Sequence, residues 1–345
     1  MTRPKTEQSP IKKSKRTKRP EFKFIDLFAG IGGIRMAFEG EGGECVFSSE
    51  WDAQAAQSYE AYFGEKPAGD ITKIPNSEIP NHDILVGGFP CQAFSIMGDK
   101  KGFLDTRGTL FFEIERILRD KQPKAFLLEN VRNLVSHDKG RTLKTILDHL
   151  RDLNYFVHWK VLNALDYNLP QKRDRIMIVG FKDNHPFSWP EKVPLQKTLS
   201  QILEDDEDVD LKHFASKKIQ ASVKDRLANK TLPPSPWICH ENKSGNISPL
   251  PYSCALRAGA SYNYLLVNGI RRLSPRENLR LQGFPEDYPI VVPDSAIRKQ
   301  CGNSVPVSMI KSVAHAMINA MKQEPITFNG LAININSGQL EIAAY

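Results

Sequence analysis

Cysteine is scarce and scattered: five in 345 residues (Cys45, Cys91, Cys239, Cys254, Cys301), odd in number and with no C-x-x-C pair. Such a set supports neither a disulfide framework nor a zinc site, so reduced thiols are expected and no residue is assigned to a metal. No run approaches the roughly 18 consecutive apolar residues of a membrane span. The basic N-terminus has no apolar stretch behind it, as a secretory signal would require. A cytoplasmic protein with no membrane partner is expected. Compositional bias is absent too: 40% hydrophobic and 25% charged residues are ordinary for a globular protein and exclude disorder of the whole chain. The length suits two or so domains around a sizeable core.

Charge excess is missing from all but one end. The formal net charge is +7, yet residues 1–20 alone hold eight basic residues and one acid. Setting them aside leaves 39 basic and 39 acidic residues, so the remaining chain is formally neutral. Any electropositive cleft must therefore come from how charge is arranged, because the total supplies none. Residues 1–20 read as a disordered basic leader, either merely solvated or an arm that touches phosphates.

From Phe22 to Gly180, short apolar runs alternate with longer periodic segments, the mark of an α/β domain with a largely parallel sheet. Strands are expected at Phe22–Phe28, Cys45–Glu50, Asp83–Gly88, Lys124–Glu129, Tyr155–Ala164 and Arg175–Phe181. Thr109–Arg119 and Thr142–Leu153 have the three- and four-residue apolar spacing of amphipathic helices. After Phe181 the rhythm stops. Prolines and the acidic run Glu204–Asp208 break up a less regular unit, roughly 182 to 270, before order returns at Arg271. Val305–Met321 reads as a last amphipathic helix that docks on the first domain.

Asp26-Leu27-Phe28-Ala29-Gly30-Ile31-Gly32-Gly33 follows a strand and opens a helix, where glycines let backbone approach a ligand. A plain tight turn would explain the glycines alone, and G-x-G-x-x-G is not met, which disfavours a dinucleotide. Glu50, about twenty residues on, sits where a carboxylate accepts from ribose hydroxyls. Trp51 beside it can pack on an adenine ring, and Asp70-Ile71 can meet an adenine amino group. An adenosine-type ligand fits these positions.

Gly87-Gly88-Phe89-Pro90-Cys91-Gln92 places a cysteine just past a strand, at the same carboxyl edge. Most cysteines are small buried hydrophobes. This one starts a glycine-rich polar stretch, Cys91 to Gly108, with the character of a lid loop, and so reads as a nucleophile. Glu129 ends the next strand and brings a carboxylate near it, unless it only caps a helix. In Gln171-Lys172-Arg173-Asp174-Arg175 the two arginines alternate onto one face, as either site residues or a solvated edge. Together these groups suit covalent chemistry on a polar ring.

In these residues the chain resembles the C5-cytosine-specific DNA methyltransferases of bacterial restriction–modification type. The matches run in order through Asp26–Gly33, Glu50-Trp51, Gly87–Gln92, Glu129-Asn130-Val131, Gln171–Arg175, and the closing pair Arg272–Tyr288 with Gln300–Val307. They cover about residues 22–180 and 271–322. The resemblance implies an S-adenosylmethionine-dependent, Rossmann-like α/β fold with a mostly parallel sheet. Its catalytic domain would span 21–181 and 271–345, and its inserted, irregular target-recognition domain 182–270. The implied reaction flips a cytosine out of duplex DNA, adds Cys91 to C6 and methylates C5. Glu129 would act at N3 and the exocyclic amine, Arg175 at O2, and Arg173 would support the pocket.

By the same resemblance, S-adenosyl-L-methionine would be held by Phe28, Gly30, Ile31, Gly32, Glu50, Trp51, Asp70, Ile71, Pro90, Leu110, Asn303 and Ser304. Double-stranded DNA would be met by Gln92, Ser95, Met97, Lys100, Lys101 and Arg107, with Asn246 and Arg257 as base readers. The cleft is expected to be lined by Lys100, Lys101, Arg107, Arg173 and Arg175, with the acidic run on the outer surface. Two positions depart from the family pattern. Met97 stands where a small polar residue is usual, and is read as a wedge into the vacated stack. Ala255-Leu256 replaces the usual threonine-leucine pair. A monomer is expected, in the bacterial cytoplasm at the nucleoid, with a cognate restriction endonuclease acting separately on the same site. A tRNA-type methyltransferase would have Pro-Pro-Cys and a shorter insertion. A nicotinamide dehydrogenase leaves Cys91, Glu129 and the arginines unexplained. An inert DNA-binding regulator is disfavoured by intact Cys91 and Glu129.

Overall fold

The computed structural model describes residues 19–90 and 110–326, and the backbone of 333–337 and 339–342. The strands are β1 (Phe22–Leu27), β2 (Gly43–Ser49), β3 (Ile84–Gly88), β4 (Ala125–Val131), β5 (Phe156–Asn163), the two-residue β6 (Gln171–Lys172) and β7 (Asp174–Phe181). All but β6 form one sheet in the order β2-β1-β3-β4-β7-β5. β1, β2, β3 and β4 pair in parallel, whereas β7 runs antiparallel to both β4 and β5. The six strands expected from sequence are present with ends moved by a residue or two. The repeated β–α alternation breaks only where β7 enters next to β4.

Runs such as Ile84-Leu85-Val86 and Ala125-Phe126-Leu127-Leu128 are apolar at every position because both faces of the sheet are covered. Alternate side chains go to opposite faces. Phe24, Val86, Leu127 and Val179 meet α1 (Gly33–Gly40) and the C-terminal helix, while Ile25, Leu85, Phe126 and Ile178 meet α3 (Leu110–Lys121) and α4 (Arg141–Asp152). Between α1 and α3, α2 (Ala53–Phe63) starts at Asp52, whose carboxylate accepts the N–H groups of Gln54 and Ala55.

In the less regular stretch, α5 (Lys217–Leu227) packs on a three-stranded antiparallel sheet. Its strands are β8 (Ile238–Glu241), β9 (Ile247–Leu250) and, beyond the short β10 (Ser253–Cys254), β11 (Leu265–Val267). β10 pairs in parallel with β6. The other face of this small sheet, through Ile238, Leu265 and Val267, shares a core with α6 (Pro275–Gln282) and α7 (Asp294–Asn303). The last long helix, α8 (Val307–Met321), begins after Pro306, two residues later than expected. Its Met309, Ile310, Val313 and Met317 lie on the main sheet. A hairpin of β12 (Ile333–Ser337) and β13 (Gln339–Ile342) follows.

One glycine shows how tightly the sheet's second face is filled. A Cβ on Gly180 in β7 would lie 2.2 Å from the ring of Phe126, its partner on β4. Gly180→Ala is expected to destabilise the fold by about 1–3 kcal/mol, as overpacking does. A thermal melt checks this, and an unchanged midpoint would refute it.

Candidate active site

β1, β3 and β4 end together, and the loops that leave those ends build the site. After β1 the chain turns through Phe28 (φ 57°), Gly30 (φ 55°) and Gly32 (φ 81°), all in left-handed backbone conformations. For Phe28 this is a strained choice of the kind that concentrates at functional sites. A Cβ on Gly30 would meet nothing within 4 Å, so its backbone faces open space. A Cβ on Gly32 would collide with Phe63 at 2.1 Å. Gly32 caps α1 with no side-chain bond, which leaves the first N–H groups of that helix without a side-chain cap.

Glu50 closes the turn from the end of β2. Its two oxygens accept the N–H of Gly30 (2.8 Å) and of Asp52 (2.7 Å). Burial pushes the Glu50 carboxyl above its usual range, and these two N–H groups pull the other way. Each oxygen keeps a lone pair for a further donor. Next to it Trp51 is 80% exposed, a free aromatic face at the rim. Asp70 does not stand free: its carboxylate accepts from the N–H and Oγ of Thr72, capping the short helical turn at Ile71–Lys73. Ile71 is buried. Leu110 opens α3, and Ser304, at the end of α7, is buried with its Oγ 3.2 Å from where a Gly33 Cβ would lie. Asn303 is exposed beside it, as is Pro90 across the site. Phe28, Gly30, Gly32, Glu50 and Ser304 thus converge on one open-backed turn. That cradle fits a ligand with an aromatic ring and hydroxyl groups.

Glu129 and Arg175 make the second cluster. Arg175 Nε lies 2.7 Å from Glu129 Oε1, with both side chains about nine-tenths buried. Burial raises the Glu129 carboxyl above its usual range, against the pull of Arg175 and then Arg173. Glu129 pairs in register with Gly88, and a Cβ there would lie 3.2 Å from Glu129 Oε2. The absence of a side chain at Gly88 therefore keeps the carboxylate accessible from the end of β3. Asn130 Nδ2 donates to the Phe89 carbonyl (2.8 Å), fixing the chain one residue before Pro90. Cys91, Gln92, Ser95, Met97, Lys100, Lys101 and Arg107 lie outside the described residues.

Arg173 corrects an expectation. It precedes β7, has no exposed surface, and does not line a cleft. Its Nη1 donates to the Leu256 carbonyl (2.7 Å), and its Nη2 to the carbonyls of Gly302 (2.8 Å) and Ser304. Gln171 Nε2 donates to Leu281 O (2.7 Å), and its Oε1 accepts from Leu256 N–H (3.2 Å). The two arginines part because one precedes the strand and the other lies within it. Of the acidic run, Asp205–Asp208 are exposed, but Glu204 is partly buried. Glu204 accepts from Ser274 Oγ, its backbone carbonyl from Arg271 (2.8 Å), and the Asp206 carboxylate also holds Arg271. These two acids tie the loop to α6 and do not simply face solvent. Asn246 is exposed at the β8–β9 turn, and half-buried Arg257 lies over the Tyr264 ring (4.5 Å).

Arg116 is a residue that sequence reasoning missed. From α3 its Nη2 donates to the carbonyls of Ile71 (2.9 Å) and Ile74 (2.8 Å), its Nη1 to Asn76, and its Nε meets Glu113 (2.6 Å). It holds the Asp70–Ile71 loop in place. No periodicity marks such a residue, because its partners are main-chain carbonyls distant in sequence. Among the described residues, no group of three His, Cys, Asp or Glu is placed to hold a metal ion, and no helix is long and apolar enough to cross a membrane.

The family model of the C-5 cytosine-specific DNA methylases matches residues 22–319. The chain is 59% identical over 291 residues to the Type II methyltransferase M.NgoBI of Neisseria gonorrhoeae, covering 84% of this chain and 91% of that protein. It is 57% identical over 302 residues to M.HaeII of Haemophilus aegyptius, covering 87% and 94%. Against M.HhaI of Haemophilus parahaemolyticus it is 40% identical over 317 residues, covering 88% and 96%. Among solved structures, the DNMT2 of Spodoptera frugiperda superposes with a TM-score of 0.67 at 21% identity, covering 86% of this chain and 99% of that one. The Dnmt2 methyltransferase of S. pombe does so with a TM-score of 0.68 at 19% identity, covering 88% and 100%. These two likenesses concern the fold.

Beneath the glycine turn, Asp26 is fully buried on β1, and neither oxygen makes a well-formed hydrogen bond to a described residue. Burial pushes its carboxyl up to about 8, against the pull of Arg35. The folded protein then keeps this proton over a range where the unfolded side chain, at 3.8, has released it. That contribution to stability is complete below about 4 and lost as pH rises to about 8. Asp26→Asn removes the titration. The melting temperature of the wild type is expected to fall relative to the variant across this window and to run parallel above it. Parallel curves throughout would refute a proton on Asp26.

Proposed function

The chain belongs to the C-5 cytosine-specific DNA methylases, and from that premise we propose that it methylates one cytosine within a short sequence of duplex DNA, with S-adenosyl-L-methionine as donor. The observation that carries the chemical reading is the buried Glu129–Arg175 pair beside Gly88, three residues ahead of Cys91. A cytosine stacked in a helix cannot reach such a pair, so the base must leave the duplex.

Carbon 5 of cytosine is a weak nucleophile. The Cys91 thiolate adds to C6, and the electron pair of the C5–C6 double bond moves toward C5 and the N3 side of the ring. Glu129, whose burial favours its protonated form, shares a proton with N3 and orients the exocyclic amine. Arg175 is held by Glu129 at Nε and by the Asp174 carbonyl at Nη1 (2.8 Å), and would present Nη2 to the ring carbonyl O2. Bound S-adenosyl-L-methionine supplies an electrophilic methyl group. C5 bonds that methyl, the C5 proton then passes to solvent, its bonding pair re-forms the C5–C6 double bond, and the C6–S bond breaks to release the Cys91 thiolate.

The donor would sit on the turn of Phe28, Gly30, Ile31 and Gly32. Glu50 would accept from its ribose and Trp51 would lie on its adenine. Asp70, Ile71, Pro90, Leu110, Asn303 and Ser304 would complete the enclosure. Gly30, with open space beside its α-carbon, supports this placement. Residues 182–270 would form the target-recognition region, with Asn246 and Arg257 among its readers, and Gln92 to Arg107 would close over the DNA. Relatives at 57–59% identity are Type II methyltransferases. The chain would accordingly be the modification enzyme of such a system, a monomer acting apart from an endonuclease of the same specificity.

Incubation with genomic DNA and S-adenosyl-L-methionine, followed by bisulfite sequencing, is expected to show 5-methylcytosine confined to one short motif. Cys91→Ser should abolish it. Glu129→Gln should lower kcat by about 10²–10⁴ while DNA affinity changes little. Label in RNA but not DNA, or methylation that survives Cys91→Ser, would overturn the reading.

A further inference from the structure

The segment between β10 and β11, Arg257 to Tyr264, has no regular structure, yet it is held at several points, on its backbone by Arg298 and on a side chain by Arg272. Arg298 on α7 donates through Nη2 to the carbonyls of Ala260 and Ser261 (2.8 Å for the latter). The same guanidinium lies 4.5 Å from the ring centre of Tyr262. Arg272 Nε donates to Asn263 Oδ1 (2.9 Å), and Arg257 N–H donates to Tyr264 OH (2.9 Å). At the near end, a Cβ on Gly302 would come 2.3 Å from Ala258 N, so helix α7 and the segment are in backbone contact. What remains at the surface is small or aromatic: Gly259, Ser261 and Tyr262, the last 56% exposed.

Side chains that grip carbonyls of a loop restrict its conformations before anything binds, which lowers the ordering cost on binding and sharpens discrimination. Arg298 is well placed for this, because α7 is itself fixed on the opposite side. Lys299 Nζ lies 2.6 Å from Asp52, and Ser58 Oγ donates to Gln300 Oε1 (3.1 Å). Three consecutive residues thus anchor the helix to the glycine-turn side and the loop to the helix. We infer that Arg298 is a specificity-determining positioning residue. It holds Arg257–Tyr264 in the shape that meets the DNA bases, without touching DNA itself. This rests on the reading of 182–270 as the recognition region.

The bidentate grip and the planar stacking need a guanidinium, so lysine is a poor substitute. Two bonds and the ring contacts with Tyr262 (4.5 Å) and Tyr264 (5.8 Å) are at stake, while Arg272 also reaches the tip, through Asn263 and at 6.0 Å from the Tyr262 ring. Arg298→Ala and Arg298→Lys are each expected to raise KM for DNA by about tenfold. Bisulfite sequencing of treated genomic DNA should show methylation at sites one base removed from the wild-type motif, about tenfold more than with wild type. The kcat at saturating cognate DNA, the KM for S-adenosyl-L-methionine and the salt slope of DNA binding should stay near wild type. Arg298→Gln, a planar donor to one carbonyl, replaces the alanine variant if that fails to fold.

A lysine variant that restores wild-type KM, together with an alanine variant whose salt slope falls by about one, would mean a direct phosphate contact and overturn the proposal. So would unchanged discrimination in all variants, or a loss confined to kcat. If wild type itself methylates without sequence preference, both this inference and the recognition-region reading fail. Discrimination that survives in the variants removes only the role of Arg298.

Discussion

A guanidinium with no exposed surface sits where three distant stretches of this chain meet. Burying a charge is costly unless polar groups surround it. Arg173 is surrounded by carbonyl oxygens of Leu256, Gly302 and Ser304. Its Nε has no hydrogen-bond partner among the described residues, so losing any of these carbonyls would leave the buried charge still less bonded, and the two segments that carry them are held in fixed relation to the start of β7. Two residues later Arg175 emerges on β7, opposite Val131 of β4, and reaches Glu129. The geometry of the Glu129–Arg175 pair therefore depends on a residue that never reaches the site. On its other side, the carbonyls it grips are those of the turn that carries Asn303 and Ser304 against α1.

Much of the scaffold was legible because burial on both faces writes long apolar runs into the central strands. Ile84–Val86 and Ala125–Leu128 could hardly be anything else between glycine and charged flanks. The direction of β7 was not legible. A strand has the same period of two read either way, and only the register Ala125↔Phe181 to Val131↔Arg175 reveals it as antiparallel. The glycine turn, Glu50 and Glu129 were expected at strand ends, and they lie there. Arg173 was misplaced for a related reason: alternation predicts a shared face for residues i and i+2 only within one strand, and Arg173 lies before β7 begins. Arg116 gave no signal, since the carbonyls it holds are about 40 residues away. The acidic run misled in part, because Glu204 and Asp206 had partners, Ser274 and Arg271, that composition cannot show.

A formally neutral body makes local burial the main instrument for tuning charge. Asp26, Glu50 and Glu129 are all acids taken out of water at the ends of β1, β2 and β4, and in each the protonated form gains from burial. Their neighbours then set them apart. Asp26 lacks a well-formed partner and remains a neutral structural group beneath the turn. Glu50 is offset by two backbone N–H groups and stays an acceptor.

Glu129 stands between these cases. An exposed pairing with arginine would leave it ionised and unable to donate to the ring, whereas burial favours the form that can. With Arg175 on one oxygen and desolvation acting on the whole group, burial raises the carboxyl above its usual range against the pull of the arginine. That balance suits proton sharing with a ring nitrogen whose own basicity rises as a nucleophile adds. It also explains why the pair belongs on adjacent strands of a sheet. A balance between two opposing effects survives only if their separation cannot relax, and paired strands hold it more firmly than any loop.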